Sequence, residues 1–392
     1  MLNLSTLLKN DEEIENSLRY SRSRSKSLTG TGEGRGPVVV WNVTRACNLG
    51  CQHCYAGESS DSHPRELTTE EGRRLIADLG EMNVPVLLFS GGEPLLRDDL
   101  EELIEFARQQ GIAVSISSNG TLLNADRVER LKELGVSYIG ISLDGTESTH
   151  DEFRGQKGAY ERTLAGIRNC RRLGQKVGLR FTMTAENRDE IESILSLMEE
   201  EDIPRLCLYH LVPQGRGLQL EDSLIAAENK RKLMDKLITR ADEMAAVGGE
   251  KEILTVANQA DGVYLYLKLK QAADSRAESI YRYLKVNGGN RSGQAIACID
   301  WKGDVHPDQF SFAHSAGNVR HRSFADIWRD SPVQLLQMMR EREKHIEGRC
   351  SRCRWFEICR GSMRSRAESL AGDFWASDPG CYLSDEEILP GE

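Results

Sequence analysis

At 392 residues the chain is longer than one small core needs and predicts two domains, or one large barrel with an appendage. A formal charge of −10 argues against a general nucleic-acid binder, and no apolar run approaches the length of a membrane span or a secretory core. Ten cysteines, several at metal-type spacing and with no export signal, point to a reducing cytoplasm rather than a disulfide framework.

Residues 1–36 read as a basic, flexible leader, with Arg19, Arg22, Arg24 and Lys26 set among serines. Pro37–Val43 is apolar and β-branched, predicting a buried strand that delivers Cys47 at its end. Strand and helix patterns then alternate. Thr68 or Thr69 caps a helix running to about Met82, with Glu70 and Glu71 in its first turn. Strands are predicted at Val84–Phe89, Ile112–Ser117, Ser137–Leu143, Lys176–Met183 and Arg205–Leu211. Helices are predicted between them near Asp98–Gln110, Ala125–Leu134, Tyr160–Leu173 and Asp189–Glu200. Six β/α repeats with short loops predict the α/β class and a partial (β/α)6 barrel over residues 37–217, with chemistry at the strand C-termini. Residues 218–286 read as a helical bridge, with an amphipathic stretch at Asn229–Met244. Residues 287–392 predict a smaller domain with two short strands, a helix near Phe324–Arg340 and a final cysteine group.

Cys47, Cys51 and Cys54 stand in a C-x3-C-x2-C run. Three thiolates this close can hold three irons of a cubane 4Fe–4S cluster and leave the fourth iron open. A zinc site is the alternative and would need a nearby fourth ligand, for which His53 is the neighbour. Ser90-Gly91-Gly92-Glu93-Pro94 follows the second strand, where two glycines admit a close backbone approach and Glu93 adds an acceptor. Cys350-x2-Cys353-x5-Cys359 and then Cys381 can close a second cluster completely, and zinc is again the alternative. Of the other cysteines, Cys170 and Cys207 read as small core residues, and Cys298 has no assigned partner.

The first cysteine run, with Tyr55 behind it, resembles the signature of the radical S-adenosylmethionine (SAM) superfamily; His53 sits where that family usually has an aromatic side chain. The resemblance implies a SAM molecule on the open iron, cleaved by an electron from the cluster to a 5′-deoxyadenosyl radical. It implies SAM contacts at Tyr55, at Gly91, Gly92, Glu93 and Pro94, at Asn119 of Ser118-Asn119-Gly120 and at Ser142 of Ser142-Leu143-Asp144-Gly145, with Thr182-Met183-Thr184 lining the same pocket. The last four cysteines resemble the auxiliary-cluster domain called SPASM, or Twitch in its shortened form. That pattern normally holds two clusters. Here Asp308 and Met363 stand at two of its cysteine positions, which implies one auxiliary 4Fe–4S cluster held by Cys350, Cys353, Cys359 and Cys381.

Several stretches are similar to the tetrapyrrole-modifying branch of the superfamily. They include Gly36–Arg45, Asp261–Tyr264, Gly288–Gly293, Gly303–Asp308, Gly317–Arg320, Cys353–Cys359 and Asp378–Ile388. The opening Leu18-Arg19-Tyr20 looks more like the member that removes acetate groups from 12,18-didecarboxysiroheme to give iron-coproporphyrin III than like the heme d1 member, which acts on propionates. The resemblance implies an iron-containing tetrapyrrole substrate, a low-potential donor such as flavodoxin or ferredoxin, and no nucleic-acid or membrane partner. Arg216 and the arginines at 349, 352, 354, 360, 364 and 366 become candidates for substrate carboxylates, and His210 and His306 for the substrate iron or a proton. A peptide-modifying enzyme is the rival, although residues 1–36 are too few for a leader-peptide-binding domain. A simple electron carrier has no need of a SAM pocket.

Overall fold

A computed structural model describes residues 1–9, 34–57, 63, 65–248, 250–330 and 333–389. Among these, eleven strands form one sheet. They are β1 (Leu2–Asn3), β2 (Val38–Thr44), β3 (Val86–Gly91), β4 (Ala113–Ser118), β5 (Val136–Ser142), β6 (Val177–Met183), β7 (Arg205–His210), β8 (Glu252–Val256), β9 (Ile296–Ile299), β10 (Asp304–His306) and β11 (Gly317–Asn318). Their spatial order is β1-β8-β7-β6-β5-β4-β3-β2-β9-β10-β11.

From β2 to β8 every neighbouring pair is parallel. Parallel neighbours need a crossover, and helices supply it. Thr69–Glu81 is started by a capping box, in which Glu71 N–H donates to Thr68 Oγ1 at 3.3 Å and Thr68 N–H to Glu71 Oε2 at 2.9 Å. This helix buries Leu75, Ile76 and Leu79; Leu100–Gln109 buries Leu103, Ile104 and Ala107 at the same helical spacing. Each such fully buried leucine or isoleucine contributes about 1.5–3 kcal/mol. The helices Ala125–Glu133, Ala159–Arg172 and Ile191–Glu200 also lie where alternation placed them.

Several elements depart from the sequence reading; the C-terminal segment read with two short strands carries three, β9 to β11, and the helix expected near Phe324–Arg340 is two, Phe324–Asp330 and Leu335–Arg340. The stretch read as a helical bridge contains β8, between the helices Ala227–Ala246 and Ala260–Gln271. The free edge of β8 is covered by β1, with Leu2 opposite Thr255, and the turn of helix Leu4–Leu7 buries Leu4 and Leu7 completely. The first residues of the expected leader are therefore packed into the sheet; its basic run Arg19–Lys26 lies outside the described residues. Finally, β9 pairs parallel with β2, Val38 opposite Ile296, so the C-terminal part extends the same sheet. Arg320 fastens it further, donating to Glu71 Oε1 at 2.8 Å and to the Lys302 carbonyl at 2.7 Å.

Candidate active site

Val40, Leu88, Ser117, Ser142, Thr182 and Tyr209, one from each of β2 to β7, line a single cavity that is partly open to solvent. Six successive strands can share a cavity only if the sheet curls, so the run is a partial barrel. Cys47, Cys51 and Cys54 line the same cavity.

The loop carrying these cysteines is pinned from three sides. Gly92 N–H donates to the Thr44 carbonyl at 2.8 Å and Glu93 N–H to the Ala46 carbonyl at 2.7 Å. Gly50 and Gln52 donate to carbonyls at the end of helix Glu147–Arg154, at 3.0 and 2.9 Å. Arg216 N–H donates to the Cys54 carbonyl at 2.9 Å, and its guanidinium Nε to the Cys51 carbonyl at 2.8 Å. The two glycines make the first closure possible: a Cβ at Gly92 would stand 2.1 Å from the Ala46 carbonyl oxygen, and Gly91 has φ +132°. What they admit first is the cysteine loop itself.

Gly91, Gly92, Asn119, Ser142 and Tyr55 line the cavity; Glu93 and Pro94 do not. Glu93 is fully buried behind the glycines and accepts from Ser118 Oγ at 2.9 Å, Asn119 N–H at 2.8 Å and Leu95 N–H at 3.2 Å. Burial pushes its carboxyl up to about 7. Asn119 in turn donates to Asn48 Oδ1 in the cysteine loop at 2.8 Å. The ring of Tyr55 packs between Phe310 and Phe312, its centroid 5.2 and 5.9 Å from theirs. Thr182 lines the cavity, whereas Met183 and Thr184 are buried outside its lining.

Two cavity residues, Arg154 and Arg180, escaped the sequence reading, and His53, named there as a possible zinc ligand, takes another part. Arg154 places Nη1 3.5 Å from Cys51 Sγ while its other nitrogen pairs with buried Asp144. His53 stacks on Phe153 with centroids 4.4 Å apart, and burial pulls its pKa well below the ordinary value, so it serves as a neutral flat ring. Arg180 also projects into the cavity. Nothing in the sequence separates Arg154 and Arg180 from the surrounding arginines, because partners are set by tertiary contact.

The substrate candidates are mostly engaged elsewhere. His210 lines the cavity with Nε2 2.9 Å from Asp261 Oδ2, and Asp261 Oδ1 accepts from Tyr382 Oη at 2.8 Å. His306 lies outside the lining, with Nδ1 2.8 Å from the His314 carbonyl. Arg349 binds Asp385 at 2.7 Å, Arg354 binds the Glu386 and Glu387 carbonyls at 2.8 and 2.9 Å, and Arg366 binds Asp378 through two nitrogens at 2.8 and 2.7 Å. None of the C-terminal arginines lines the cavity.

Cys350, Cys353, Cys359 and Cys381 line a second, smaller cavity. Among the described residues no three His, Cys, Asp or Glu side chains are arranged to hold a single metal ion. The two departures from the two-cluster pattern have other partners: Asp308 Oδ1 accepts from Phe310 N–H and Ser311 Oγ at 2.9 Å, and Met363 Sδ lies 3.2 Å from Asn290 Nδ2. Burial pushes the Cys47 thiol up to about 12 and Cys359 well above the thiol range. Such groups become thiolates when a metal supplies positive charge, so both donor sets fit iron–sulfur clusters.

The family model of the radical SAM superfamily matches residues 41–198, and that of the iron–sulfur cluster-binding domain SPASM matches residues 291–354. Fe-coproporphyrin III synthase of Methanosarcina barkeri is 45% identical over 394 residues, covering 99% of this chain and 99% of its own. The chain belongs to the radical SAM superfamily. Another relative, the pre-heme d1 synthase of Dinoroseobacter shibae, is 42% identical over 354 residues, 90% of this chain and 87% of its own. Streptococcus suis SuiB bound to S-adenosylmethionine shares the radical SAM fold at a TM-score of 0.68 and 18% identity, over 88% of this chain and 77% of that one. As a radical SAM protein with a SPASM domain, the chain uses a 4Fe–4S cluster, SAM and an auxiliary iron–sulfur cluster.

Proposed function

We propose that the protein removes acetate side chains from 12,18-didecarboxysiroheme to give iron-coproporphyrin III in siroheme-dependent heme synthesis. The observation that carries this reading is the 45% identity with Fe-coproporphyrin III synthase over 99% of both chains. When bound, the cluster and SAM supply a 5′-deoxyadenosyl radical, which takes hydrogen from an unactivated C–H bond that acid–base groups leave untouched. Cys47, Cys51 and Cys54 hold that cluster with one iron open to SAM. Gly91, Gly92, Asn119, Ser142 and Tyr55 contact SAM from the cavity wall, and Glu93 fixes the turn at Ser118 and Asn119. Arg154, beside Cys51, offsets thiolate charge. Cys350, Cys353, Cys359 and Cys381 hold one auxiliary 4Fe–4S cluster. Electrons come from a low-potential carrier such as flavodoxin or ferredoxin in the cytoplasm. Among the described residues no helix is long and apolar enough to cross a membrane.

The 42% identity with pre-heme d1 synthase supports a second reading, chemistry at the propionates of the same tetrapyrrole. Anaerobic incubation of the reconstituted protein with SAM, a strong reductant and 12,18-didecarboxysiroheme separates the two, with tetrapyrrole mass as the readout. Stepwise loss of two acetates is the expected result, and a change at the propionates selects the second reading. Accumulation of 5′-deoxyadenosine with an unchanged tetrapyrrole mass removes both.

A further inference from the structure

Arg180 stands on β6 level with Ser142 of β5, yet its guanidinium extends across the inner face of β5 to donate to Ser117 Oγ on β4 at 2.5 Å. Gly140 makes this path possible, since a Cβ there would meet Arg180 Nε at 2.2 Å. Among the described residues no carboxylate pairs with this arginine; the ionisable groups acting on it most are Tyr209, Tyr138, Cys207 and Tyr55. The buried hydroxyl of Tyr138 has no hydrogen-bond partner among the described residues. By contrast, Arg154, the cation beside the cysteines, is already paired with Asp144.

A guanidinium in a cavity wall with one neutral hydroxyl partner is costly to desolvate, and its planar fork matches a carboxylate. We propose that Arg180 and Ser117 form a carboxylate-binding subsite in the cavity, and that the carboxylate is a side chain of the tetrapyrrole substrate. This rests on the function proposed above. SAM also carries a carboxylate. The position of the guanidinium favours the substrate: it lies over Gly140, opposite Ser117 and two residues before the SAM candidate Ser142, on the side of Ser142 away from the cysteine loop and the turns at Gly92 and Asn119.

The test compares wild type with Arg180→Gln, Arg180→Lys and Gly140→Ala as reconstituted, unreduced holoproteins. Affinity for 12,18-didecarboxysiroheme is read from its absorption, affinity for the side-chain methyl ester of the same tetrapyrrole likewise, and affinity for SAM by equilibrium dialysis. Arg180→Gln and Gly140→Ala are expected to weaken the free acid about tenfold or more, as loss of a charge-assisted pair does. Arg180→Gln should bind acid and ester almost alike, Arg180→Lys should recover part of the preference, and SAM affinity in Arg180→Gln should change by no more than roughly twofold. Equal binding of the acid by wild type and Arg180→Gln overturns the subsite while leaving the function standing. A selective loss of SAM affinity in Arg180→Gln also overturns it, assigning the arginine to SAM. If wild type binds no tetrapyrrole, the proposed function fails and the subsite with it. Should Arg180→Gln lose iron or its circular dichroism spectrum, the Lys and Ala variants decide by the same acid–ester ratio.

Discussion

Glu93 is fully buried with three donors aimed at its oxygens, and burial still raises its carboxyl from 4.5 to about 7. The folded state thus keeps a proton that the unfolded chain releases. The stability this group contributes is complete below about pH 4.5 and is lost as pH rises through about 7. Glu93→Gln removes the titration and should flatten that part of the pH dependence, read from urea midpoints of the apoprotein. The substitution also turns an amide against a backbone or side-chain donor, since Oε1 accepts from Ser118 and Oε2 from Asn119 N–H. A loss of about 1–3 kcal/mol is expected for the unmet donor, together with weaker SAM binding as Asn119 shifts. An unchanged pH slope would assign the titration to another group.

Among the elements, the turn after β3 governs the cysteine loop. A methyl at Gly92 cannot occupy a point 2.1 Å from the Ala46 carbonyl, so Gly92→Ala must push the loop off β3. The expected result is selective: iron at Cys47, Cys51 and Cys54 is lost and the auxiliary cluster stays, leaving about half the iron of two cubanes. Iron per chain and the electron paramagnetic resonance spectrum check this, and full iron loading in the variant would refute it. The spacing of the motif was legible in the sequence, but the job of its glycines was not, because the carbonyls they approach come from a loop about forty-six residues earlier. The same limit applies to strands and helices. Long apolar alternation revealed β2 to β7, and Thr68 or Thr69, followed by Glu70 and Glu71, marked a helix start that the structure places at Thr69 with Thr68 as its cap. The five residues of β8, between two helices of twenty and twelve, were too short to break a helical pattern. The pairing of Leu2 with β8 is a contact across some 250 residues that no local pattern encodes.

Across the whole molecule, the C-terminal segment is joined to the barrel by charges that composition displays without revealing their partners. Arginines near the last cysteines read equally well as substrate clamps, yet Arg366 is almost completely buried and binds Asp378 through two nitrogens. It also donates to the Ala257 carbonyl, just past β8, at 3.0 Å. Asp378 accepts from Met363 N–H at 3.0 Å and from Gly380 N–H at 2.8 Å, shaping the turn that presents Cys381. Burial alone would raise its carboxyl, but Arg366 holds it down to about 2. The pair's contribution is therefore intact above pH 3.8 and is lost as pH falls through about 2. Asp378→Ala strands a buried guanidinium and is expected to cost about 3–5 kcal/mol. Iron should disappear from the auxiliary site before the first one, because the turn at Cys381 loses both its acceptors. Replacing both partners with apolar residues, Arg366→Met with Asp378→Leu, leaves no unpaired charge and should recover part of the stability. It should not restore auxiliary iron, since a leucine accepts nothing from Met363 or Gly380 N–H. Denaturant midpoints and iron spectra of the three proteins together separate charge pairing from turn formation. A stable Asp378→Ala variant with its auxiliary cluster intact would refute both roles.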